Sequence, residues 1–578
     1  MSRLGRLGDR WMVLVAALPL VLAEPALGQE EFRAFWADVW TSNFMTSTQV
    51  DDMVTRAVTG RYNAIVPEVL AYQDYGSASH GAFWRSNIVP RSTRVTTSYD
   101  PLAYLCQQAH AQGIEVHAWI VPFRVGASWP PSGNATLSAH PEWVMVPEGN
   151  MGTRVPIDGN YTLDPGSPGV QEYLMSIVRE LVTNYPIDGI NWDYIRYTQT
   201  DAGYPSNTSY TGSTLARFQT ITGYVGTPPP TGEPSWNDFR RRTIDEIIRR
   251  ARAEIPSIRT NPRQPLRNTA DVFATGDAPF SFESTSAYVY HQNWRYWMEM
   301  GWLDAAVPMN YKREHCASQA QWYRNWIDAA IDWRYDRHVF CGQANYLNSF
   351  DNSIAQLDYA YGAGANGTAN YDYQSTRASE TLCDEYDSEV ADWTWYSYIA
   401  ANLFTSTAPT PAMSWRNPAT ATEGTLWGRV TDLQSGLPMD DVTVTVTGVG
   451  SVQTDGNGYY VMTLIPATAG GSGYTVSASE DGYRGRSLNA TVIAGDVARL
   501  DLALSSELGD LDGDGDVDLD DYHFFGICLG ISGPTKPLNP GHVCLDGPTG
   551  SGYRADLDGD RDIDAVDYGV FQEILAGP

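Results

Sequence analysis

The stretch Ile187-Asp188-Gly189-Ile190-Asn191-Trp192-Asp193-Tyr194-Ile195-Arg196-Tyr197 decides how most of this chain is read. Apolar residues lead into a short segment of strand character, and a carboxylate, aromatic rings and a guanidinium leave it at Asp193, Tyr194, Arg196 and Tyr197. A barrel strand presents chemistry in this way at its C-terminal end. Asp188 starts the same strand, so it belongs at the opposite end and reads as structural.

Working outward, the pattern of apolar strand, loop and amphipathic helix repeats. Strands are expected at 33–40, 63–69, 115–123, 189–195, 257–261, 305–311, 339–346 and 367–373, and helices between them at 48–59, 101–112, 168–184, 236–255, 319–333 and 353–362. Strands alternating with helices imply parallel pairing through crossovers, and eight of them imply a closed (β/α)8 TIM barrel over 29–405. Pro256 and Pro262 bracket the fifth strand, an unusual setting for a central one. The segments 70–98, 124–162, 196–235 and 262–300 all follow strands and are rich in Gly, Ser, Thr, Pro and aromatics. Long insertions on one face build the walls of a groove there, suited to an extended substrate.

Composition narrows the partners. With 38 Lys+Arg against 68 Asp+Glu, a net charge of -30 argues against nucleic acid. The 19 Trp and 34 Tyr suit stacking on sugar rings as well as core packing. Arg3, Arg6 and Arg10 precede an apolar run at 11–22 and then Ala26-Leu27-Gly28, which reads as a secretory signal over 1–28. Nothing later is apolar for long enough to cross a membrane, so the mature chain is expected to be secreted, extracellular or at the cell surface or periplasm, without a membrane span. Export permits disulfides among the six cysteines: Cys528 with Cys544 in the tail, and Cys316 with Cys383, which both follow barrel strands on one face. Cys106 and Cys341 read as core thiols, and no CxxC spacing suggests zinc.

Beyond a Thr/Ala/Pro-rich linker at 406–422, residues 423–504 alternate apolar and polar, as in Val442-Thr443-Val444-Thr445-Val446, and predict a small antiparallel β-sandwich. Gly428-Arg429-Val430-Thr431-Asp432, Gly436-Leu437-Pro438 and Gly458-Tyr459-Tyr460 resemble the carboxypeptidase regulatory-like domain, which implies a spacer or binding module without catalytic residues. In the tail, 506–578, Asp510, Asp512, Asp514, Asp516, Asp518 and Asp521 stand at positions one, three, five, seven, nine and twelve of a calcium loop, with Gly515 at the turn. Asp556, Asp558, Asp560, Asp562, Asp564 and Asp567 repeat the spacing, with Arg561 in place of the glycine. Two such loops, each followed by a short apolar helix, resemble a type I dockerin, an EF-hand-like α-helical module that implies bound Ca2+ and a cohesin-like partner.

Several fragments of the first domain converge on one family. They include Tyr99-Asp100-Pro101-Leu102, His117-Ala118-Trp119, His140-Pro141-Glu142-Trp143-Val144, Leu163-Asp164-Pro165-Gly166, the opening stretch, Gly301-Trp302-Leu303-Asp304 and Pro308-Met309-Asn310-Tyr311. This ordered series resembles the glycosyl hydrolase-like 10 family of exported barrels, whose members include enzymes that cut peptidoglycan glycan strands. The resemblance implies an exported glycoside hydrolase acting on a polysaccharide or peptidoglycan by paired carboxylates, with no cofactor for catalysis; the alternative is a non-catalytic glycan-binding protein on an inactive barrel. Asp193 falls on the family's strand-four acid. The second carboxyl is left between Asp74, where the family carries an acid, and Glu68, which stands where Gln is usual. Arg196 beside Asp193 favours its ionised form, fitting nucleophile or base, and leaves proton donation to Glu68 or Asp74. His117, Trp119, Trp192, Asn310 and Tyr311 are expected to line sugar subsites.

Overall fold

The structure, a computed structural model, describes residues 30–41, 43–76, 78–379, 382–383, 388–433, 435–480, 482–506, 509, 511, 517–530, 544, 555–557 and 563–576. The expected signal at 1–28 lies outside them, and no helix among them is long and apolar enough to cross a membrane.

Eight parallel strands close a barrel: β1 (Phe32–Ala37), β2 (Ala64–Leu70), β3 (Glu115–Ile120), β4 (Gly189–Trp192), β5 (Arg267–Phe273), β6 (Ala305–Met309), β7 (His338–Ala344) and β8 (Gly367–Tyr371). Each pairs with the next in sequence, and β8 returns to β1 through Phe32 opposite Gly367. The helices that follow the strands in turn are α1 (Ser47–Thr59), α2 (Pro101–His110), α3 (Pro168–Asn184), α4 (Pro234–Ser257), α5 (Trp294–Glu299), α6 (Ala317–Asp332), α7 (Phe350–Ala363) and α8 (Trp395–Asn402). Their starts follow local chemistry. Thr46 and Gln49 form a capping box at α1, while Asp100 accepts from the Ala103 N–H and Pro101 fixes the first turn of α2.

One strand departs from expectation. Residue 257 ends α4, and β5 begins ten residues later at Arg267. Pro256 lies inside the last turn of α4, where it removes one intrahelical N–H bond, and the helix ends at the next residue. The true strand is hidden by its polar residues, because Thr269 and Asp271 meet Asn191 inside the barrel while Asn268 bonds outward to the Trp192 indole and the Trp302 carbonyl.

The barrel interior is filled rather than open. Phe32 and Phe340 stack at 4.0 Å near the N-terminal end, with Trp36 and Trp119 buried near the other. Burying each such ring contributes about 1.5–3 kcal/mol. A Cβ on Gly189 would meet His117 Nδ1 at 2.5 Å, so β4 enters this layer only without a side chain.

The segment expected as a linker is a strap across the N-terminal mouth. Arg33 and Asn63 donate to the carbonyls of Ser406 and Ala408, Thr410 donates to Glu115, and Arg267 donates to the Pro411 carbonyl. Trp415 and Arg416 then bond the fully buried Asp304, with Arg416 at 2.9 Å.

The strap leads to a sandwich of two sheets over a core of Leu426, Val444, Tyr460, Val476 and Val492. Its sheets are antiparallel as expected, apart from the parallel pairing of Glu423–Asp432 with Val497–Arg499 and Leu502–Ser506. The sandwich is docked on α4. Arg217 bonds both Glu246 and Asp440, Arg242 reaches Asp441 at 2.6 Å, and Trp427 and Val461 pack on Ala253.

In the tail, helices Leu519–Cys528 and Ala565–Ala576 pack through Phe525 and Phe571, whose rings are 5.4 Å apart. Asp521 accepts from the N–H groups of Leu511 and Asp518, and Asp567 accepts from those of Leu557 and Asp564. The duplication is therefore structural, but the described residues show two helices and two loop ends rather than a complete EF-hand. Asp510, Asp512, Asp514, Asp516, Asp558, Asp560 and Asp562 lie outside the described residues. Disulfides join Cys316 to Cys383 and Cys528 to Cys544, and Cys106 and Cys341 are free and buried.

Candidate active site

Along β4 side chains alternate, so Asn191 enters the barrel, Trp192 turns outward and Asp193 is brought back over the barrel mouth. There it lines a cavity of about 320 Å³ with Glu68 from β2, Trp119 from β3, Asp271 from β5 and Tyr371 from β8. Glu68, Asp193 and Asp271 are only 2 %, 5 % and 2 % exposed. Three carboxyl groups thus share one small volume largely removed from water.

Burial raises all three, against different opposing groups. Burial lifts the Asp193 pKa, but the charges of Arg196 and Arg124 and the Tyr194 N–H, which donates to Oδ1 at 2.7 Å, oppose the rise. Burial likewise lifts Glu68, to about 8; the charges of Asp38 and Asp193 add to it, and the Val39 N–H and Arg124 offset only part. Asp271 is pushed well above the carboxylate range by burial and by the charge of Asp193, opposed by Trp36 and by the Asn191 amide, which donates to it at 2.8 Å. Its Oδ1 is buried without a partner. Two guanidinium groups thus favour charge on Asp193, while Glu68 and Asp271 are held toward the neutral acid.

Tyr194 takes a left-handed backbone, φ 50°, which costs about 1–2 kcal/mol for an L-residue. Its half-exposed ring is thereby set between Arg124 at 4.4 Å and Arg196 at 4.5 Å. Arg124 and Tyr194 also border a second cavity of about 350 Å³, lined further by Arg196, Asn160, Gln199 and Phe273. Aromatic rings close the other flank. Tyr371 has Tyr311 at 5.5 Å, Trp36 at 6.0 Å and Trp119 at 6.4 Å, and Trp40, half exposed, stands edge-on to Tyr72.

Of the residues singled out from sequence, Asp193, Glu68, Trp119 and Tyr311 meet in the carboxylate cavity, and Arg196 lines its neighbour. Asp74 does not join them: it pairs with His80 and lies under Gly126, where a Cβ would strike it. His117 sits low in the barrel, bonded to Glu115 at 2.9 Å and edge-on to Phe32. Trp192 is fully buried behind the sheet, donating to Asn268, and Asn310 is spent on the Tyr323 carbonyl. Asp188 caps the opposite end, holding His110, Arg263 and the Val116 N–H, while Asp164 ties the chain to Thr214. Sequence reading missed Asp271, Arg124, Trp36 and Tyr371. The first was hidden by the misplaced β5; its signal is the alternation Thr269, Asp271, Phe273.

Comparison with known proteins agrees with this architecture. Residues 31–356 match the glycosyl hydrolase-like 10 family and residues 425–505 the carboxypeptidase regulatory-like domain. A glycosyl hydrolase DigH of Escherichia coli K12 is 31% identical over 250 residues, which is 40% of this chain and 52% of that protein. Glycosyl hydrolase YngK of Bacillus subtilis 168 is 23% identical over 270 residues, 43% of this chain and 46% of that protein. The chain therefore spans about half the length of the curated relatives it matches. Among solved structures, a β-galactosidase from the psychrophilic Marinomonas ef1 aligns with a TM-score of 0.42 at 11% identity, covering 70% of this chain and 64% of its own. The match extends over more than half the chain, from before β1 to within α7, and on it the chain belongs to the glycosyl hydrolase-like 10 family.

Proposed function

We propose that this protein is an exported glycoside hydrolase that cleaves O-glycosidic bonds of a polysaccharide or of peptidoglycan glycan strands. The observation that carries the reading is the set of three buried carboxyls at the barrel mouth: burial raises all of them, Glu68 to about 8, and Asp193 is the one whose rise two guanidinium groups and a backbone N–H oppose. Glycoside hydrolysis requires two roles: one carboxyl protonates the leaving oxygen, and the other attacks the anomeric carbon or activates water. Asp193 is the nucleophile or base and Glu68 the proton donor. Asp271 lends a third carboxyl whose neutrality keeps a second negative charge away from Asp193. Trp119, Tyr311 and Tyr371 supply faces for sugar rings.

The test is incubation of the purified chain with peptidoglycan glycan strands and with plant and algal polysaccharides, reading new reducing ends and product masses. At least one glycan is expected to be shortened. Affinity for a glycan without release of sugars from any would overturn the enzymatic reading in favour of a binding protein on an inactive barrel.

The same proposal places the protein outside the cytoplasm and anchors it through the dockerin-like tail. Two disulfides support export, since they persist in oxidising compartments. The duplicated tail supports calcium: Asp518, Asp521, Asp556, Asp564 and Asp567, with the aspartates at the first, third, fifth and seventh positions, offer hard oxygen donors at the spacing calcium requires. Calorimetric titration of the full chain with Ca2+ is expected to show two sites, and none after Asp521→Ala with Asp567→Ala. An absence of binding heat would remove the calcium assignment and, with it, a cohesin-like partner.

A further inference from the structure

We infer that Tyr72 is a positioning residue for the reaction: from outside both cavities it holds Arg124 so that an unneutralised guanidinium faces Asp193; this rests on the glycosidase reading above. Glu68, Trp119, Asp271, Tyr311 and Tyr371 reach the carboxylate cavity from other elements, and among the described residues that line it Arg124 is the one cation. Its charge opposes the rise of both Asp193 and Glu68, while Arg196 acts on Asp193 from the loop that the two share. The contacts that place Arg124 are aromatic. Its guanidinium lies over the Tyr194 ring at 4.4 Å and over the Tyr72 ring at 5.3 Å. Arg196 takes the Tyr194 ring as well, and Phe273 at 4.1 Å. Tyr72 in turn is stacked on His80, with ring centroids 4.2 Å and planes 6° apart, and Asp74 bonds the His80 ring. The acid that did not join the cavity thus braces the support of its cation.

Elsewhere the buried arginines Arg217, Arg250 and Arg416 are matched directly by Glu246, Glu254 and Asp304. Among the described residues Arg124 has no such salt bridge, and the difference has a chemical consequence. A carboxylate partner orients a guanidinium and cancels its charge, whereas an aromatic face orients it through the ring quadrupole and leaves the charge in place. A cation held in the second way remains available to Asp193. Tyr194 is half exposed and borders both cavities, so it is open to substrate too. Tyr72 is 8 % exposed and lines neither cavity. It touches the site through Arg124 and, edge-on at 5.7 Å, through Trp40, an uncharged ring. Backbone bonds hold its loop independently of the ring: the Gly81 N–H donates to the Tyr72 carbonyl at 3.2 Å, and the Gln73 N–H to the Arg124 carbonyl at 3.1 Å.

The test is the pH profile of kcat/KM for the full chain on a glycan that the screen shows to be cut. A carboxylate that loses a nearby cation is harder to ionise. In Tyr72→Leu the acid limb, which reads Asp193 in the free enzyme, is therefore expected about one pH unit higher than in wild type, with kcat/KM at the optimum about tenfold lower. The alkaline limb rises with it, because Arg124 also offsets part of the Glu68 shift. Tyr72→Phe keeps the ring and restores the wild-type profile. In Arg124→Gln the acid limb moves at least as far, and adding Tyr72→Leu moves it no further, since the ring then has no cation to place. Tyr72→Met replaces Tyr72→Leu if circular dichroism shows the latter unfolded. A folded variant whose acid limb stays at the wild-type position, or shifts that add in the double variant, would overturn the positioning role and leave the glycosidase standing. If no glycan is cut, the glycosidase reading falls, and crystal structures of wild type and Tyr72→Leu decide the placement of Arg124. Displacement of its guanidinium by about 1 Å or more supports the hold exerted by Tyr72, and an unmoved guanidinium removes it.

Discussion

Asp193→Asn is expected to lower glycan cleavage by about 10³-fold or more, with the fold intact. The substitution keeps an oxygen to accept the Tyr194 N–H and keeps the shape of the turn that ends β4. What it removes is the negative charge that Arg196 and Arg124 favour, and with it the electron pair that attacks or that accepts a proton from water. Asp271 and Glu68 cannot replace it, since burial holds both toward the neutral form. Their pKa values should fall once the like charge of Asp193 is gone. Reducing-end release from the glycan identified by screening, with circular dichroism as the folding control, reads the effect. Activity within tenfold of wild type would show that Asp193 is not the reacting carboxylate.

The element that carries Asp193 is the one the sequence displays best, for physical reasons. β4 is short, apolar on its outer side and followed at once by polar groups, so strand, direction and projecting acid are all visible in one stretch. The same period-two alternation sends Trp192 outward, and attending to residue type rather than parity is what made it a subsite candidate. β5 was misread because its inward positions, Thr269 and Asp271, are polar, and an apolar pattern is how a strand is recognised from sequence. That misplacement removed Asp271 from consideration, while Asp74, named from the family resemblance, is paired with His80 away from the cavity. Residues 406–416 carry loop composition but bind the barrel through backbone carbonyls, which any residue possesses and no composition reveals. Neither the three-carboxyl arrangement nor the arginine pair is visible in a single stretch, since their members come from β2, β4, β5 and the loops after β3 and β4.

Glu68→Gln is expected to separate chemistry from binding. At neutral pH the wild-type Glu68 holds its proton, with a pKa of about 8 against 4.5 for an unperturbed Glu, and the variant cannot donate one. Cleavage of ordinary glycosides should fall about 10²–10⁴-fold, while a dinitrophenyl glycoside, whose leaving group needs no proton, should be hydrolysed at close to the wild-type rate. In the wild type the rate on ordinary glycosides should decline as pH rises through about 8, because the acid form is consumed there. That alkaline limb disappears in the variant. Stability should move the opposite way. Between pH 4.5 and about 8 the unfolded chain releases the Glu68 proton and the folded chain keeps it, so this group makes folding less favourable as pH rises across that window. Gln carries no such penalty, and Glu68→Gln should be more stable at pH 7 by on the order of 3 kcal/mol, with the gain vanishing below pH 4.5. Loss of both substrates together would identify Glu68 as structural. An alkaline limb that survives in Glu68→Gln and vanishes in Asp271→Asn would transfer the proton donor to Asp271, whose buried Oδ1 has no hydrogen-bond partner among the described residues.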